Sequence, residues 1–248
     1  MTAELFYDDA YIRDFDAAIT AVDKKDGQLR VALDRTAFYP GGGGQPNDTG
    51  WITIDYRRLP VSKVKRERGS IWHTLEGKKG ESIPIRPGQK IHADLDWDRR
   101  YLLMRTHTAM HILCGVVWRD YGASVTGGDM KPGSGRMDFE FEAMSANLVA
   151  AIEQKCNQEI EAARPVNTRT LPRDEAFQIP DLIRTKINLL PKQIKEVRTV
   201  ELKGLDLQAD GGTHAGNTSE VGLMRVVDYR SKGAINKRIY VEISEAQA

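Results

Sequence analysis

The sequence predicts an α+β fold with two domains, a small β-barrel in residues 1–96 and an α+β domain in residues 97–248. Two observations support this prediction. The first part consists of short alternating segments separated by turn residues, which is typical of a barrel. After Trp97, helical patterns mix with strand patterns without βαβ regularity, which indicates an α+β arrangement. A chain of 248 residues is long enough for two ordinary domains.

The strands of the first domain are indicated by alternation between turn signals. Residues 17–22 and 29–33 alternate around Lys25-Asp26-Gly27 and predict a hairpin. Further strands are predicted at the following positions: residues 51–54, 70–75 and 89–95, with Pro84, Pro87 and Gly88 as interruptions. No long helix is expected before residue 96.

A glycine run interrupts these strands between Phe38 and Pro46, in the stretch Phe-Tyr-Pro-Gly-Gly-Gly-Gly-Gln-Pro. Consecutive glycines lose much backbone entropy on folding, so they usually serve a strained turn or a close approach to a ligand. The run is no phosphate-binding P-loop, because no Lys-Ser/Thr pair follows it. We expect a loop, stiffened by Phe38, Tyr39 and Pro46, that meets a ligand or another domain.

The second domain begins with a long helix. Asp96 or Asp98 can cap it, it runs to Trp118 or Tyr121, and Gly122 ends it. A turn containing Gly127-Gly128 and residues 131–135 should lead to a strand. The remaining predicted elements are as follows: a strand at 136–141, a helix capped by Ser145, a strand at 166–171, a partly helical stretch at 174–190, a strand at 196–202 and a hairpin of 221–229 with 237–243.

Two short segments carry three of the five histidines and point to a metal site. His107 and His111 lie four residues apart on the long helix, so their imidazoles can converge on one ion. The turn Gln208-Ala-Asp-Gly-Gly-Thr-His214 adds Asp210 and His214. The alternative is that the helical histidines are ordinary helix residues without a metal. We predict a four-ligand site of His107, His111, Asp210 and His214, with zinc as the first metal to consider.

Other residues near the histidine pair limit which reactions and which ligand sets the sequence can support. Thr108 stands where a His-Glu-x-x-His metalloprotease has its glutamate, so a peptidase is disfavoured. Cys114 lies about 10 Å along the helix from His107 and is expected in the core. Nothing marks His73 and His92 as more than ordinary strand residues.

Composition bounds the class of protein. The net charge of +1 gives no argument for nucleic-acid binding. Basic residues at 57–68 and 230–238 can form phosphate footprints, although a solvated face is the more common explanation. No apolar run is long enough to span a membrane, and the start is no signal peptide. The two cysteines indicate core thiols in a reducing compartment, so we expect a cytoplasmic protein without a membrane partner.

Four stretches together resemble a known family. Arg105-Thr-His-Thr-Ala-Met-His111 and Asp210-Gly-Gly-Thr-His-Ala-Gly-Asn-Thr-Ser-Glu-Val-Gly222 are similar to the editing domain of alanyl-tRNA synthetases and of the free-standing AlaX proteins. The glycine stretch from Phe38 to Gly50 resembles the glycine-rich loop in the barrel domain of that group. Arg136-Met-Asp-Phe139 is similar to its Arg-Phe-Asp-Phe strand. Neither an aminoacylation domain nor a carboxy-terminal domain fits within 248 residues, as in the medium-length AlaX class.

The resemblance implies hydrolysis of mischarged tRNA(Ala) at its acceptor end, chiefly Ser-tRNA(Ala) and also Gly-tRNA(Ala), with one zinc ion per chain. It places the zinc ligands at His107, His111, Asp210 and His214, although the family usually has cysteine at the position of Asp210. A carboxylate holds zinc less selectively than a thiolate.

The substrate-recognising residues can be named as candidates. Discrimination against alanine requires a partner for the serine hydroxyl, and Thr108 and Gln45 are the catalytic candidates for that role. The expected substrate-binding residues share the two glycine-containing loops: Gly42, Gly43, Gly44 and Thr213. Glu220 can equally well support the turn in which it lies.

Two other functions stay open. A zinc-stabilised RNA-binding module without hydrolytic activity would use the metal as a closed structural site whose removal unfolds the second domain. The second alternative is an unrelated metal hydrolase that acts on a small ester or amide. A requirement for the tRNA acceptor stem would exclude this alternative.

Overall fold

The structure is a computed structural model that describes residues 2–77, 84–185, 190 and 194–244. The chain divides into two compact units, Met1–Gly42 with Pro46–Leu102 and Gly43–Gln45 with Leu103–Ala248. Helices and mainly antiparallel sheets occur together, so the predicted α+β class is confirmed. The boundary between residues 96 and 97 stays a prediction.

The first unit is built around a closed six-stranded barrel. The elements of this unit are β1 (Ala3–Glu4), α1 (Leu5–Asp8), β2 (Asp14–Lys25), β3 (Gln28–Leu33), β4 (Arg35–Thr36), β5 (Gly50–Ile54), β6 (Arg57–Glu67), β7 (Ser70–Leu75) and β8 (Lys90–Leu95). The strands of the barrel follow one another in the order β2-β3-β7-β6-β5-β8, and β1 and β4 form a short parallel pair in the same unit.

Alternation along the strands fills the barrel interior. In β2 the residues Phe15, Ala17 and Ile19 are buried, whereas their neighbours Asp14 and Asp16 are exposed. Such a period of two puts successive side chains on opposite faces of a sheet. The predicted hairpin is confirmed, because β2 and β3 pair on either side of Asp26-Gly27, both of which have positive φ.

The basic stretch at residues 57–68 is mostly a strand that the sequence analysis did not predict. In β6 the apolar residues Leu59, Val61 and Val64 point into the barrel core, while Lys63 and Lys65 on either side of Val64 are exposed. The alternation is interrupted by a register shift between Val61 and Lys63, which obscures the period in the sequence. The basic residues therefore form the outer face of a barrel strand.

A buried ion pair ties the start of the long helix to the barrel unit. Arg100 and Asp48 are both fully buried, and the guanidinium Nε donates to Asp48 Oδ2 at 2.9 Å. The same guanidinium donates to the carbonyl oxygens of Ala10 and Ala37. The backbone N–H of Tyr39 donates to the same carboxylate oxygen at 2.6 Å. Each charge is thus paired and hydrogen-bonded, as a buried charge must be.

The second unit combines helices with two antiparallel sheets. The elements are α2 (Trp97–Tyr121), β9 (Val125–Lys131), β10 (Ser134–Glu140), α3 (Ala146–Glu161), β11 (Val166–Pro172), α4 (Arg173–Ala176), β12 (Glu196–Leu202), β13 (Asp206–Ala209), a 3-10 helix (Thr218–Val221), β14 (Met224–Ser231) and β15 (Asn236–Ile243). The strand orders of the two sheets are β14-β15-β10-β9 and β11-β12-β13, and helix α2 begins before Leu103 and continues into this unit.

The two main helices begin and end where the sequence predicts. Asp96 accepts a hydrogen bond from the backbone of Arg99, and Gly122 ends helix α2 with a φ of 62°. The hydroxyl of Ser145 accepts a hydrogen bond from the backbone N–H of Leu148 and caps helix α3. Helix α2 is buried on nearly all sides from residue 103 to residue 117, because side chains from both sheets and α3 pack around it.

Three predicted elements of this unit differ in the structure. Gly127 and Gly128 lie within strand β9 opposite β10, because the turn is confined to residues 132–133. The last hairpin begins at Met224, since residues 218–221 form the 3-10 helix. In the stretch 174–190 the helix covers only Arg173–Ala176, and residues 186–189 lie outside the described residues. Over the part of the chain that is described, no helix has the length and apolar character that a membrane span requires.

Asp48→Ala should lower the free energy of unfolding by about 3–5 kcal/mol, because it leaves the buried guanidinium of Arg100 without its counter-charge. Urea denaturation followed by circular dichroism measures this difference. Asp23→Ala is the matched control, since it removes the half-exposed partner of Arg30 in the same unit and should change the midpoint little. Equal effects of the two substitutions would contradict the assigned role of Asp48.

Candidate metal centre

Helix α2 places two histidines on the face that points toward the loop after β13. His107 and His111 are one turn apart, and their ring centroids are 5.2 Å apart. Both side chains are buried, with 7% and 6% of their surface exposed. The i, i+4 spacing predicted this proximity.

Hydrogen bonds to backbone atoms of the loop after strand β13 hold this loop in place. Arg198 Nη1 donates to the carbonyl oxygens of Asp210 and Gly212 at 3.2 and 2.9 Å. The backbone N–H of Gly212 donates to Asp210 Oδ1 at 2.6 Å. A Cβ at Gly212 would lie 2.3 Å from the ring of His107, so only glycine allows the loop to approach the helix this closely. The loop thereby brings Asp210 and His214 to the histidine pair.

The four predicted ligands converge. One ligand atom from each of His107, His111, Asp210 and His214 lies within 4.8 Å of the others. The Nε2 atoms of His107 and His111 are 3.5 and 3.9 Å from Asp210 Oδ2, and that of His214 is 3.7 Å from Oδ1. Ligands about 2 Å from a tetrahedral ion are about 3.3 Å from one another. The group can therefore hold a metal ion after small adjustments.

The chemistry of the four groups also fits a metal ion. Both ring nitrogens of His214 are buried and have no hydrogen-bond partner among the described residues, and such orphaned atoms are costly in a protein interior. Burial, together with the neighbouring histidines, lowers the pKa of His214 well below its usual value. Burial opposes ionisation of Asp210, but the three histidines hold its pKa well below the usual range. A neutral imidazole and an ionised carboxylate are the forms that bind metals.

Two further side chains form hydrogen bonds with the Nδ1 atoms of the two helical histidines. His107 Nδ1 is 2.9 Å from Gln45 Oε1, and His111 Nδ1 is 3.0 Å from Asp206 Oδ2. Burial lowers the pKa of His111, but its hydrogen bonds with Asp206 and Asp210 outweigh burial and raise it to about 9. Partners at Nδ1 leave Nε2 of each ring facing Asp210.

Gln45 and Thr213 form one hydrogen-bonded unit behind His107. Gln45 Nε2 donates to the hydroxyl of Thr213 at 2.9 Å, and the backbone N–H of Thr213 donates to Gln45 Oε1 at 3.0 Å. Both residues are almost fully buried. In this arrangement Gln45 orients His107, while its role toward substrate stays a prediction.

Thr108 is hydrogen-bonded within the protein as well. Its hydroxyl donates to the carbonyl oxygen of Met104 at 3.0 Å and accepts from the backbone N–H of Ala215 at 3.0 Å. These bonds connect the histidine helix to the loop that carries His214. One lone pair of the hydroxyl stays available, so the role of Thr108 in serine recognition stays a prediction.

A cavity of about 770 Å³ opens beside the four ligand groups. Its wall is largely apolar, with Met110, Val125, Met137 and Leu182 among the lining residues. His107, His111 and Asp210 reach it, and so do the predicted substrate-binding residues Gly43 and Gly44. Apolar walls with a few convergent polar groups are typical of a ligand site.

The other two predicted substrate-binding residues lie elsewhere. Thr213 is buried against Gln45 and is not part of the cavity wall. Gly42 belongs to the first unit, where its carbonyl oxygen accepts a hydrogen bond from the hydroxyl of Tyr39 at 3.1 Å. The positive φ of Gly41 through Gly44 confirms that the glycine run is a constrained turn.

Cys114, His73 and Glu220 occupy structural positions. Cys114 is buried in the core as predicted, and Gln208 Nε2 donates to its sulfur at 3.2 Å. His73 lies in the barrel core, bonded to Thr36 and Val31, and burial lowers its pKa to about 4. Glu220 completes a capping box with Asn217, which confirms the structural interpretation of that turn.

Sequence reasoning missed Asp206, Gln208 and Arg198, which surround the predicted ligands. Asp206 and Gln208 stand two residues apart in strand β13 and so share a face, the one that meets helix α2. Two polar residues at this spacing directly before the Asp-Gly-Gly-Thr-His loop were the available signal. Arg198 lies on the neighbouring strand β12, and only the pairing of strands reveals its position.

Binding of a metal ion should weaken as the pH falls. Because the pKa of His111 is raised to about 9, a metal ion that binds near neutral pH must displace a proton from this histidine. Calorimetric titration with zinc as the probe ion, in buffers of different protonation enthalpy, should show about one proton released per ion near pH 7.5, and about a tenfold loss of affinity per pH unit below it. An affinity that is constant over this range would contradict the assignment.

Residues 5–99 match the family of tRNA synthetases class II (A), and residues 197–240 match the threonyl and alanyl tRNA synthetase second additional domain. The first match covers the barrel unit, and the second covers Asp210 and His214.

Relatives match nearly the whole chain. The alanyl-tRNA editing protein AlaX-M of Saccharolobus solfataricus is 36% identical over 98% of this chain and 99% of its own length. That of Methanosarcina barkeri is 36% identical over 97% of this chain and 98% of its own length. An alanine–tRNA ligase of Pyrobaculum aerophilum is 36% identical over 91% of this chain, which corresponds to 25% of the ligase. The chain therefore belongs to the AlaX-M family of alanyl-tRNA editing proteins.

Proposed function

We propose that this protein is a trans-editing deacylase that hydrolyses mischarged tRNA(Ala), chiefly Ser-tRNA(Ala) and also Gly-tRNA(Ala), and so maintains the fidelity of translation. One observation carries the proposal: His107, His111, Asp210 and His214 converge beside a cavity. Relatives that are named alanyl-tRNA editing proteins align with the chain over nearly its full length, which supports the same activity.

Zinc is the metal that we propose for the site, with one ion per chain. Three imidazole nitrogens and one carboxylate oxygen form a donor set that zinc accepts, and the four groups are close enough to surround one ion. Zinc bound there supplies Lewis acidity toward an ester carbonyl or a water molecule.

The protein itself supplies the positioning of ligands and substrate. The scissile bond is an activated ester between the amino acid and the terminal ribose, so modest assistance suffices. A cavity of about 770 Å³ is large enough for an aminoacyl ester together with its terminal nucleoside. The backbone of Gly43 and Gly44 lines it without side chains, which lets a substrate approach closely. Its apolar wall excludes bulk water from the ester.

Serine selectivity is proposed to come from the hydroxyl of Thr108. Thr108 is fully buried next to His107, and its hydroxyl keeps one lone pair beyond its bonds to Met104 and Ala215. A hydrogen bond to the serine side chain would favour the serine ester over the alanine ester. Glycine, which lacks the hydroxyl, should gain nothing from this contact.

The partner and the cellular compartment follow from the proposed reaction. The substrate is the acceptor end of mischarged tRNA(Ala). Both cysteines, Cys114 and Cys156, are free and buried, which suits a reducing compartment, so we propose that the protein acts in the cytoplasm.

One observation favours a second candidate function. Four protein ligands that surround one ion without an open position are typical of structural zinc sites, and the side chains here are between 2% and 15% exposed. A zinc-stabilised RNA-binding module without hydrolytic activity would have this arrangement.

Deacylation of Ser-tRNA(Ala), Gly-tRNA(Ala) and Ala-tRNA(Ala), with zinc content measured on the same sample, tests the proposal. We expect rapid loss of the serine ester, sparing of the alanine ester and about one zinc per chain. Removal of the metal should stop hydrolysis while the circular dichroism spectrum stays largely intact, and added zinc should restore activity.

The opposite result identifies the binding module. No hydrolysis by a zinc-loaded, folded protein, together with unfolding of the second unit when the metal is removed, would exclude the deacylase.

Thr108→Val should lower the ratio of Ser-tRNA(Ala) to Gly-tRNA(Ala) hydrolysis by roughly 2- to 12-fold, because one hydrogen bond to the substrate is lost. Thr108→Ser keeps the hydroxyl and is the matched control, which should retain the ratio. Loss of the internal bonds to Met104 and Ala215 affects both substrates alike and cancels in the ratio. A ratio unchanged in Thr108→Val would assign Thr108 to structure alone.

A further inference from the structure

The two helical histidines of the metal centre differ in the chemistry of the group behind them. Nδ1 of His107 faces the neutral amide oxygen of Gln45, whereas Nδ1 of His111 faces the carboxylate of Asp206. We propose that Asp206 is a positioning residue, which orients His111 and makes it the stronger metal ligand of the pair. The inference rests on the proposed metal site.

The position of Asp206 is unusual for a carboxylate. Its side chain is fully buried, although Asp206 is the first residue of the short strand β13. A buried carboxylate is costly unless charged or polar partners surround it. Asp206 Oδ2 accepts from Gln208 Nε2 at 2.6 Å in addition to its contact with His111 at 3.0 Å. A leucine or valine would fill the same space at less cost, so a role toward His111 explains the charge.

The hydrogen bond selects one tautomer of His111. An ionised carboxylate can only accept, so Nδ1 carries the proton and donates it to Asp206 Oδ2. The lone pair of the neutral ring is then at Nε2, the atom that faces Asp210 Oδ2 at 3.9 Å. A carboxylate partner also makes the imidazole more basic than an amide partner does. His111 should therefore donate more electron density to a metal than His107.

Arg184 compensates the charge of Asp206. Its Nε is 3.5 Å from Asp206 Oδ1, and its guanidinium lies over the ring of Trp118 at 4.6 Å. Only 10% of the side chain is exposed. Nε and Nη1 of Arg184 and Oδ1 of Asp206 are buried without hydrogen-bond partners among the described residues, so the two charges act through space. The guanidinium places a positive charge near Oδ1 and does not compete for Oδ2, the oxygen that contacts His111.

Asp206→Asn in the full-length chain tests the proposal. Zinc affinity, measured by competition with a chromophoric chelator, should fall about 10- to 100-fold, as is typical when a carboxylate behind a metal-bound histidine is removed. Asp181→Asn is the matched control. Asp181 is the other carboxylate near Arg184, at 3.8 Å, it is largely exposed, and asparagine tolerates its positive φ. The control should bind zinc as the wild type does.

A spectroscopic measurement on the wild type covers the case in which Asp206→Asn does not fold. Nitrogen-15 NMR of the zinc-loaded protein reports which ring nitrogen of His111 carries the proton. Protonated Nδ1 and zinc-bound Nε2 are expected. Zinc bound at Nδ1, or wild-type affinity in a folded Asp206→Asn variant, would overturn the proposal.

Kinetics separate this inference from the proposed function. If the protein deacylates Ser-tRNA(Ala), Asp206→Asn at saturating zinc should lower kcat and leave KM nearly unchanged, because Asp206 touches the ligand and not the substrate. Asp206→Glu keeps the carboxylate and should recover part of the loss. If the wild type does not deacylate, the proposed function fails, while the zinc affinity and the tautomer of His111 still decide the role of Asp206.

Discussion

The central constraint on the second unit is that three imidazoles and one carboxylate lie together in a buried space. Their ligand atoms lie within 4.8 Å of one another, and His214 has no hydrogen-bond partner at either ring nitrogen within the part of the chain that the structure describes. Such a cluster is unfavourable by itself, since desolvation and unpaired polar atoms both cost free energy. A bound metal ion removes this cost. Hydrogen bonds that Gln45 and Asp206 accept from the two helical histidines, and that Arg198 donates to the loop of Asp210, position these groups so that they can hold an ion.

The same constraint explains the glycines around the site. Gly212 cannot carry a side chain because His107 and Gln45 occupy the space. Gly43 comes close to Asp210 Oδ2, where an added Cβ would lie at 3.9 Å, and its φ of 58° favours glycine. At Gly43 and Gly212, therefore, backbone atoms and not side chains lie next to the ligand residues. Gly43 and Gly44 thus line the cavity together with His107, His111 and Asp210.

Local signals in the sequence could predict the ligands and most elements, because spacing and capping depend on neighbours in the chain. The i, i+4 histidines, the cap at Ser145 and the hairpin at Asp26-Gly27 are of this kind. Asp206 could not be assigned, since its role arises only when strand β13 packs against helix α2. Strand β6 was missed because a register shift and basic outer residues hide its alternation. Gly127 and Gly128 suggested a turn, but pairing with β10 determines their conformation.

The identity of the fourth ligand decides whether this description of the site is right. Asp210 offers a carboxylate oxygen as the fourth ligand, whereas Cys114, which lines the same cavity, offers a thiol. X-ray absorption spectroscopy at the zinc edge distinguishes the two directly. The structure predicts a shell of nitrogen and oxygen atoms at about 2.0–2.1 Å with no sulfur. A sulfur atom at about 2.3 Å would show that a thiolate binds the metal and would contradict the site of His107, His111, Asp210 and His214.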